Sequence, residues 1–435
     1  MKSIFAATCE MPRFGPLQED TKADVLVIGG GIAGILTAVL LKQAGADVLL
    51  LEAERLCSGQ TGNTTAKITV GHGFIYADIL RRYGENAARG FYEANVAALE
   101  RYRDMAKGID CNFENKDFYA YAKSGHRALG RELAALSAIG AHTRFEQDLH
   151  LPFETVGAIC FPDQAQLHPL RFLAALCKGL RIHENTPVRA LFEDGAETCD
   201  GKRIKAESVV VATHYPFLRF RGGFPLKLYQ SRSYVLGLTG VQLPNAMYAD
   251  GEGEGASIRA FEDCLLLGGA GHRTGVKGGG YEALAAFAGE YYPDSRVAYR
   301  FAAQDCMTLD RIPYIGHYTK HSDHLYVATG FGKWGMTSAM VAAMLLRDQI
   351  LEKSNPYAEI FDPSRPMAKG ALVRNAGAVL MHYIRPTAPR CPHLGCALRW
   401  NEQERSWDCP CHGSRFSETG KLIDDPAEKD LKVKK

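Results

Sequence analysis

The stretch from Ala23 to Ala53, ADVLVIGGGIAGILTAVLLKQAGADVLLLEA, restricts the fold more than any other part of the 435-residue chain. Asp24 to Gly29 is an apolar strand-forming run that leads straight into Gly29-Gly30-Gly31-Ile32-Ala33-Gly34, which satisfies G-x-G-x-x-G. Ile32, Ile35, Leu36, Val39 and Leu40 then recur at helical spacing, Gly45 stops the helix, and a second buried strand, Val48 to Leu51, ends at Glu52. Strand, glycines, helix, strand and acid make a βαβ unit that grips a dinucleotide. Gly29 permits the tight turn, Gly31 lets backbone approach a pyrophosphate, and Gly34 lets helix and strand pack closely. Ile32 and Ala33 open the helix, whose free N–H groups and positive dipole end face the phosphates, and Glu52 is placed to bond the ribose hydroxyls. The unit alone serves NAD or FAD. Val25 to Leu41 is nearly uncharged, but its first part is a strand and the glycines break it, so no membrane span is expected.

With 46% hydrophobic and 23% charged residues the composition is that of an ordinary globular chain, long enough for roughly two or three domains. A net charge of +2 argues against nucleic acid or an anionic membrane as main partner, and Lys429 to Lys435 reads as a solvated tail. Met1 to Asp20 holds no apolar signal-peptide core, so a cytoplasmic protein is expected. Cys9, Cys57, Cys111, Cys160, Cys177, Cys199, Cys264 and Cys306 lack ligand spacing and read as free thiols of a reducing compartment, whereas the other four cysteines crowd between Cys391 and Cys411.

Glu54 to Gly73, ERLCSGQTGNTTAKITVGHG, is dense in small polar residues that suit a phosphate, a flavin ring or a plain surface loop. Ala87, Phe91, Ala94, Ala98, Tyr102 and Met105 give a helix with one apolar stripe for the core, Cys111 to Tyr121 alternates as a strand, and Arg127 to Ile139 is an amphipathic helix. Phe161 to Arg171 reads as a Pro-bounded turn before a helix, with His168 a packing residue rather than a catalytic one. Strands return from Leu180 to Val211, with a hairpin through Asp194-Gly195 and a last strand that stops at Ala212 and Thr213, as a sheet strand ends against a cofactor. Leu228 to Leu243 and Ser257 to Gly269 suit a second, more antiparallel sheet, and Tyr281 to Tyr291 a helix. Leu325 to Thr329, the turn Gly330 to Thr337 and a helix to Leu351 repeat the strand–glycine–helix order, a second helix N-terminus aimed at an anion or an electron-rich ring.

Four blocks of this sequence, VIGGGIAG with Glu52, TGNTTAK from Thr61 to Lys67, the VVVAT strand end and PYIG…LYVATGFGKWGMT from Pro313 to Thr337, resemble the D-amino-acid oxidase-like family of FAD-dependent oxidoreductases. The resemblance implies noncovalent FAD. The first block then holds the ADP part, and Thr61, Gly62, Asn63, Thr64, Thr65, Ala66 and Lys67 line the cofactor. Val188 backs onto the adenine, Ala212 and Thr213 end the strand beside it, and Gly330, Gly332, Gly335, Met336 and Thr337 close over the flavin. It also implies a glutathione-reductase-type α/β domain assembled from 20–76, 150–228 and 300–352, with a mixed-sheet substrate domain inserted from 77–149 and 229–299. Arg259, His272 and Lys333 are the first catalytic candidates, although in this family substrate orientation and desolvation at the flavin do most of the work.

Beyond a linker at 353–369, the segment 370–435 carries Cys391-Pro392-His393-Leu394-Gly395-Cys396 and Cys409-Pro410-Cys411-His412-Gly413-Ser414. C-x-H followed by C-x-x-H is the ligand set of a Rieske [2Fe–2S] centre, with Cys391 and Cys409 on one iron and His393 and His412 on the other; a structural zinc site is the alternative. CPHLGC and CPCHGS resemble the high-potential Rieske proteins, small all-β domains. That resemblance implies a disulfide between Cys396 and Cys411, a hydroxyl from Ser414 toward a cluster sulfur, and a lower potential because Phe416 stands where the highest-potential members have Tyr.

A two-electron flavin and a one-electron cluster in one chain point to an FAD-dependent dehydrogenase that oxidises a small amine, amino acid or related C–H donor and passes electrons through its cluster to an external partner. The alternatives are a flavoprotein reductase that receives electrons through the cluster, and a non-catalytic redox-sensing module.

Overall fold

The computed structural model describes residues 2–218, 221–253, 255–367, 369–383 and 389–432. Its first sheet runs Tyr314–His317, Leu325–Thr329, Arg203–Val211, Thr21–Ile28, Val48–Leu51, Arg181–His183, with the hairpin Val188–Phe192 and Gly195–Thr198 attached at Arg203–Val211. The Thr21 strand is parallel to both neighbours, with Val27 opposite Val210 and Leu50. Its residues alternate between two buried faces. Val25 and Val27 pack toward the helices Ile32–Gln43 and Gly335–Ile350, and Leu26 and Ile28 pack with Val209, Val211, Tyr215 and Tyr318. A parallel sheet buried on both sides requires such continuous apolar runs, and this one has them.

The second sheet runs Arg296–Thr308, Leu228–Thr239, Cys264–Arg273, Ser257–Phe261, Met247–Asp250, Glu114–Ala122, Gly157–Gln166, Lys67–Ile68. It is mixed, because Met247–Asp250 lies parallel to Glu114–Ala122 while the neighbouring pairs are antiparallel. Gly157–Gln166 falls in a stretch expected for the nucleotide domain, yet it pairs here, and Phe161 to Gln166, expected as a turn, continues that strand. Pro162 is tolerated because the ladder is irregular opposite it, between Lys116 and Phe118.

In the C-terminal module a helix, Lys369–Tyr383, precedes four short antiparallel strands, Arg399–Asn401, Ser406–Asp408, Arg415–Ser417 and Leu422–Asp424. The stretch expected as a linker is anchored to the first domain. Phe361 is buried, and the buried Arg365 makes two 2.8 Å hydrogen bonds to Asp310 while lying over the Tyr314 ring. The expected solvated tail is partly tied down as well, since Leu431 is buried and its N–H donates to Gly420 O at 2.8 Å; residues 433–435 lie outside the described residues. Among the described residues no helix is long and apolar enough to cross a membrane.

Candidate dinucleotide and iron–sulfur sites

The carboxyl ends of Thr21–Ile28, Arg203–Val211 and Leu325–Thr329 converge on a cavity of about 560 Å³, where doubly wound sheets bind their ligands. Gly29, Gly31, Ile32, Ala33, Glu52, Thr61, Thr64, Ala212, Thr213, Gly330, Gly332, Gly335 and Met336 line it. At Gly29, φ is +112° and a Cβ would stand 2.5 Å from Ala212 O, so only glycine lets the two strand ends approach. A Cβ on Gly34 would fall 1.9 Å from Gly29 O, which confines that position to close helix–turn packing. Glu52 accepts from Gly30 N at 2.6 Å and from Glu54 N at 2.9 Å, while burial pushes its carboxyl pKa up. Thr61 Oγ1 accepts from Ile32 N at 3.0 Å and so fixes the glycine-rich loop against the helix start. Glycine backbone, helix N-terminus and a carboxylate at the end of the second strand fit a dinucleotide.

The remaining expected cofactor positions stand back from this cavity. Asn63, Thr65 and Lys67 line a neighbouring one, Gly62 O accepts from Ser3, and Ala66 is buried. Thr337 hydrogen-bonds Thr69 O and His72, and Val188 packs against the core on the far face of the sheet.

The neighbouring cavity, about 450 Å³, shares Asp305, Phe331, Gly332, Lys333 and Met336 with the first, so the two adjoin. Lys67, His72, Tyr229, Ser233, Arg311 and Trp334 complete much of its lining. Burial lifts the Asp305 carboxyl to about 6, against the pull of Lys333 and of the Ser233 hydroxyl 3.3 Å away. Burial holds His72 down to about 3, and this neutral ring stacks on Trp334 at 5.2 Å. Lys67 Nζ donates to Ser257 Oγ at 2.5 Å, with burial and then Arg259 drawing its pKa well down.

Of the three catalytic candidates only Lys333 reaches these cavities. Arg259 is fully buried behind the loop, where Nη1 donates to Thr65 O at 2.8 Å and Ala66 O at 2.9 Å; it positions that loop. His272 lies toward the C-terminal module, bonded to the Tyr234 hydroxyl at 2.9 Å. Asp305 and Arg311 escaped attention in the sequence. Both fall in the QDCMTLDRIPYIG segment, whose two acids and one base among apolar residues are the signal that marks them.

The Cys391 and Cys409 loops are built alike. Gly395 N donates to Cys391 O and Gly413 N to Cys409 O, each at 2.9 Å, and both glycines have positive φ. Cys391, His393, Cys409 and His412 are all buried, and the two imidazoles are 5.1 Å apart and nearly perpendicular. The Cys409 thiol beside it draws Cys391 down to about 7, and Cys409 is pushed up in return. His412 Nε2 donates to Pro225 O at 3.2 Å, which leaves a buried Nδ1 with no hydrogen-bond partner among the described residues. Second-coordination bonds of that kind fix which nitrogen faces a metal. Cys396 and Cys411 form a disulfide, so although their sulfurs lie within 4.8 Å of Cys409, those three are not a ligand set. Two thiols and two imidazoles remain, as a Rieske cluster requires. Ser414 Oγ accepts from Ala427 N at 3.0 Å and bonds Cys391, and Phe416 is buried.

The module is seated on the second sheet through buried charges. Arg232 donates to both oxygens of Glu404, while Arg415 binds Asp408 at 3.0 Å and Asp424 at 2.9 Å. Burial would raise Glu404, but the hydrogen bonds and charge of Arg232, with Arg415 behind, hold it down to about 2. Arg273 Nε also donates to Pro410 O at 3.2 Å, next to Cys409.

Residues 24–349 match the family model described as FAD dependent oxidoreductase, and residues 369–435 the Rieske [2Fe-2S] domain, which decides against zinc. The putative Rieske 2Fe-2S iron-sulfur protein YhfW of Bacillus subtilis (strain 168) is 34% identical, over 99% of this chain and 97% of that protein. Glycine oxidase from Geobacillus kaustophilus has a similar fold, with TM-score 0.67 and 20% identity over 80% of this chain and 100% of that one. L-proline dehydrogenase from P. horikoshii gives 0.66 and 18% over 80% and 98%. The chain therefore belongs to the D-amino-acid oxidase-like family of FAD-dependent oxidoreductases and carries a C-terminal Rieske [2Fe–2S] domain.

Proposed function

We propose that this protein is a dehydrogenase that oxidises a small amine, amino acid or related C–H donor in the second cavity and passes the electrons through its own cluster to an external acceptor. FAD supplies a two-electron hydride acceptor and the Rieske centre a one-electron carrier. Tyr215 is the observation that carries this reading. It follows Ala212, Thr213 and His214, all of which line the dinucleotide cavity. Its buried ring lies 6.3 Å from the His393 ring and 6.5 Å from that of His412. Thr213 Oγ1 donates to Tyr215 O at 2.9 Å and Tyr215 N to Thr213 O at 2.7 Å, so the turn that joins the two sites is fixed. One strand end thus reaches from the dinucleotide cavity to the two histidines.

The second cavity carries both signs of charge, a carboxyl at Asp305 and cations at Arg311 and Lys333. An ammonium suits the first and a carboxylate the others. Phe331 and Trp334 exclude water, and the neutral His72 offers no competing charge. Orientation and desolvation against the shared wall, Gly332 and Met336, are then the chain's contributions to the reaction.

The test is anaerobic mixing of the holoprotein with a panel of amines and amino acids, followed by visible and EPR spectroscopy. Bleaching of the flavin and reduction of the cluster are expected with the substrate. If no compound bleaches the flavin the dehydrogenase is refuted, and if the flavin bleaches while the cluster stays oxidised the internal relay is refuted.

A further inference from the structure

The cavity at the glycine turn has a wall from outside the first domain. Lys421, Ile423, Asp424 and Asp425, on the last strand of the C-terminal module and the residues that flank it, line the same cavity as Gly29, Gly31 and Glu52. We infer that the Rieske module is a structural part of the FAD site, its Lys421–Asp425 edge closing over the bound dinucleotide and retaining it.

That edge is tied to both sites. Gln60, in the glycine-rich loop, donates to Asp424 Oδ1 at 3.4 Å and accepts from Gln304 N at 2.5 Å, and Gln304 donates in turn to Gly413 O, beside His412, at 3.0 Å. Two acids facing a pyrophosphate would repel it if both were ionised and bare. Asp424 is not bare, being paired with Arg415 at 2.9 Å and lying 3.8 Å from Arg232. Asp425 is half-buried at the cavity wall, and burial first, then Asp424 and Glu52, push its pKa well up. The wall thus presents one carboxylate already paired with arginine, one carboxyl whose ionisation burial opposes, and the half-exposed apolar side chain of Ile423. None of these opposes an anionic ligand. The inference concerns FAD retention and stands whichever way electrons flow.

FAD itself is the probe. Release from diluted holoprotein, followed by the fluorescence of free flavin, is compared for wild type, Glu404→Ala, which loosens the seat of the module without touching the cavity, and Ile423→Gly, which opens the wall at an exposed position. Release at least tenfold faster is expected in both, with the cluster EPR signal retained in Ile423→Gly. Hydrogen exchange at residues 421–425 is measured with and without FAD, and slowing by at least tenfold in the loaded protein is expected. Absence of that protection overturns the inference whatever the release rates. With protection present, release within twofold of wild type in every variant that folds also overturns it, and faster release in either one supports it.

Discussion

Replacing Glu404 by alanine should release the Rieske module from the second sheet. The side chains of Arg232 and Glu404 are only 8% and 10% exposed, so the substitution leaves a buried guanidinium whose nearest remaining acid, Asp424, is 3.8 Å away. Arg415 is not stranded, because Asp408 and Asp424 still bind it. Removing one partner of a buried pair costs about 3–5 kcal/mol. The depression of the Glu404 carboxyl from 4.5 to about 2 corresponds independently to roughly 3 kcal/mol. We therefore expect a loss of about 3 kcal/mol, equivalent to roughly a hundredfold faster exchange of the amides in 399–425 if they exchange through undocking. Hydrogen exchange read by mass spectrometry measures this directly. Because the folded pKa is the lower one, the contribution is full above about pH 4.5 and lost as pH falls through about 2. The wild-type advantage over the variant should accordingly shrink on acidification from pH 5 to pH 3.5. A change below about 1 kcal/mol, or an advantage that does not shrink with acid, would refute the assignment of docking energy to this pair.

In the second cavity Asp305 titrates near 6, so below that pH its carboxyl is neutral and cannot hold an ammonium; kcat/KM for an amine should fall below pH 6 in wild type, and Asp305→Asn should lose that inflection. Gly29→Ala puts a methyl 2.5 Å from Ala212 O on positive-φ backbone and should weaken FAD binding at least tenfold in titrations of the apoprotein. His412→Ala should abolish the Rieske EPR signal, because its Nδ1 is the free nitrogen on that loop, while the flavin spectrum remains.

What the sequence made legible was local. The G-x-G-x-x-G turn, the Tyr281–Tyr291 helix and the Cys–His loops each depend on spacings of a few residues, and the structure has them where those spacings put them. Pairings across long separations left no such mark. Nothing in FPDQAQ reveals that this segment continues a strand opposite Glu114–Ala122, because its proline and aspartate are ordinary turn residues. Arg259 reads as a catalytic candidate because a lone arginine among strand residues carries no label for which side it faces, and it faces the Thr65 and Ala66 carbonyls. His272 was ambiguous for the same reason. The contact of Tyr215 with His393 and His412 is least visible of all, since it joins segments 178 and 197 residues apart.

The order of strands in the first sheet bears on how the protein is made. Thr21–Ile28 is flanked by Val48–Leu51, available early in synthesis, and by Arg203–Val211, which the ribosome delivers far later; Leu325–Thr329 then adds to the Arg203 strand. A nascent chain thus holds a complete βαβ unit long before the sheet that shelters it exists. The edge of Thr21–Ile28 that faces Arg203–Val211 is unpaired during that interval, the condition in which strands aggregate or recruit chaperones. The cavity wall is not complete until Gly330–Met336 and then the Lys421–Asp425 edge have been made, so a ligand enclosed there is enclosed by the nearly full-length chain.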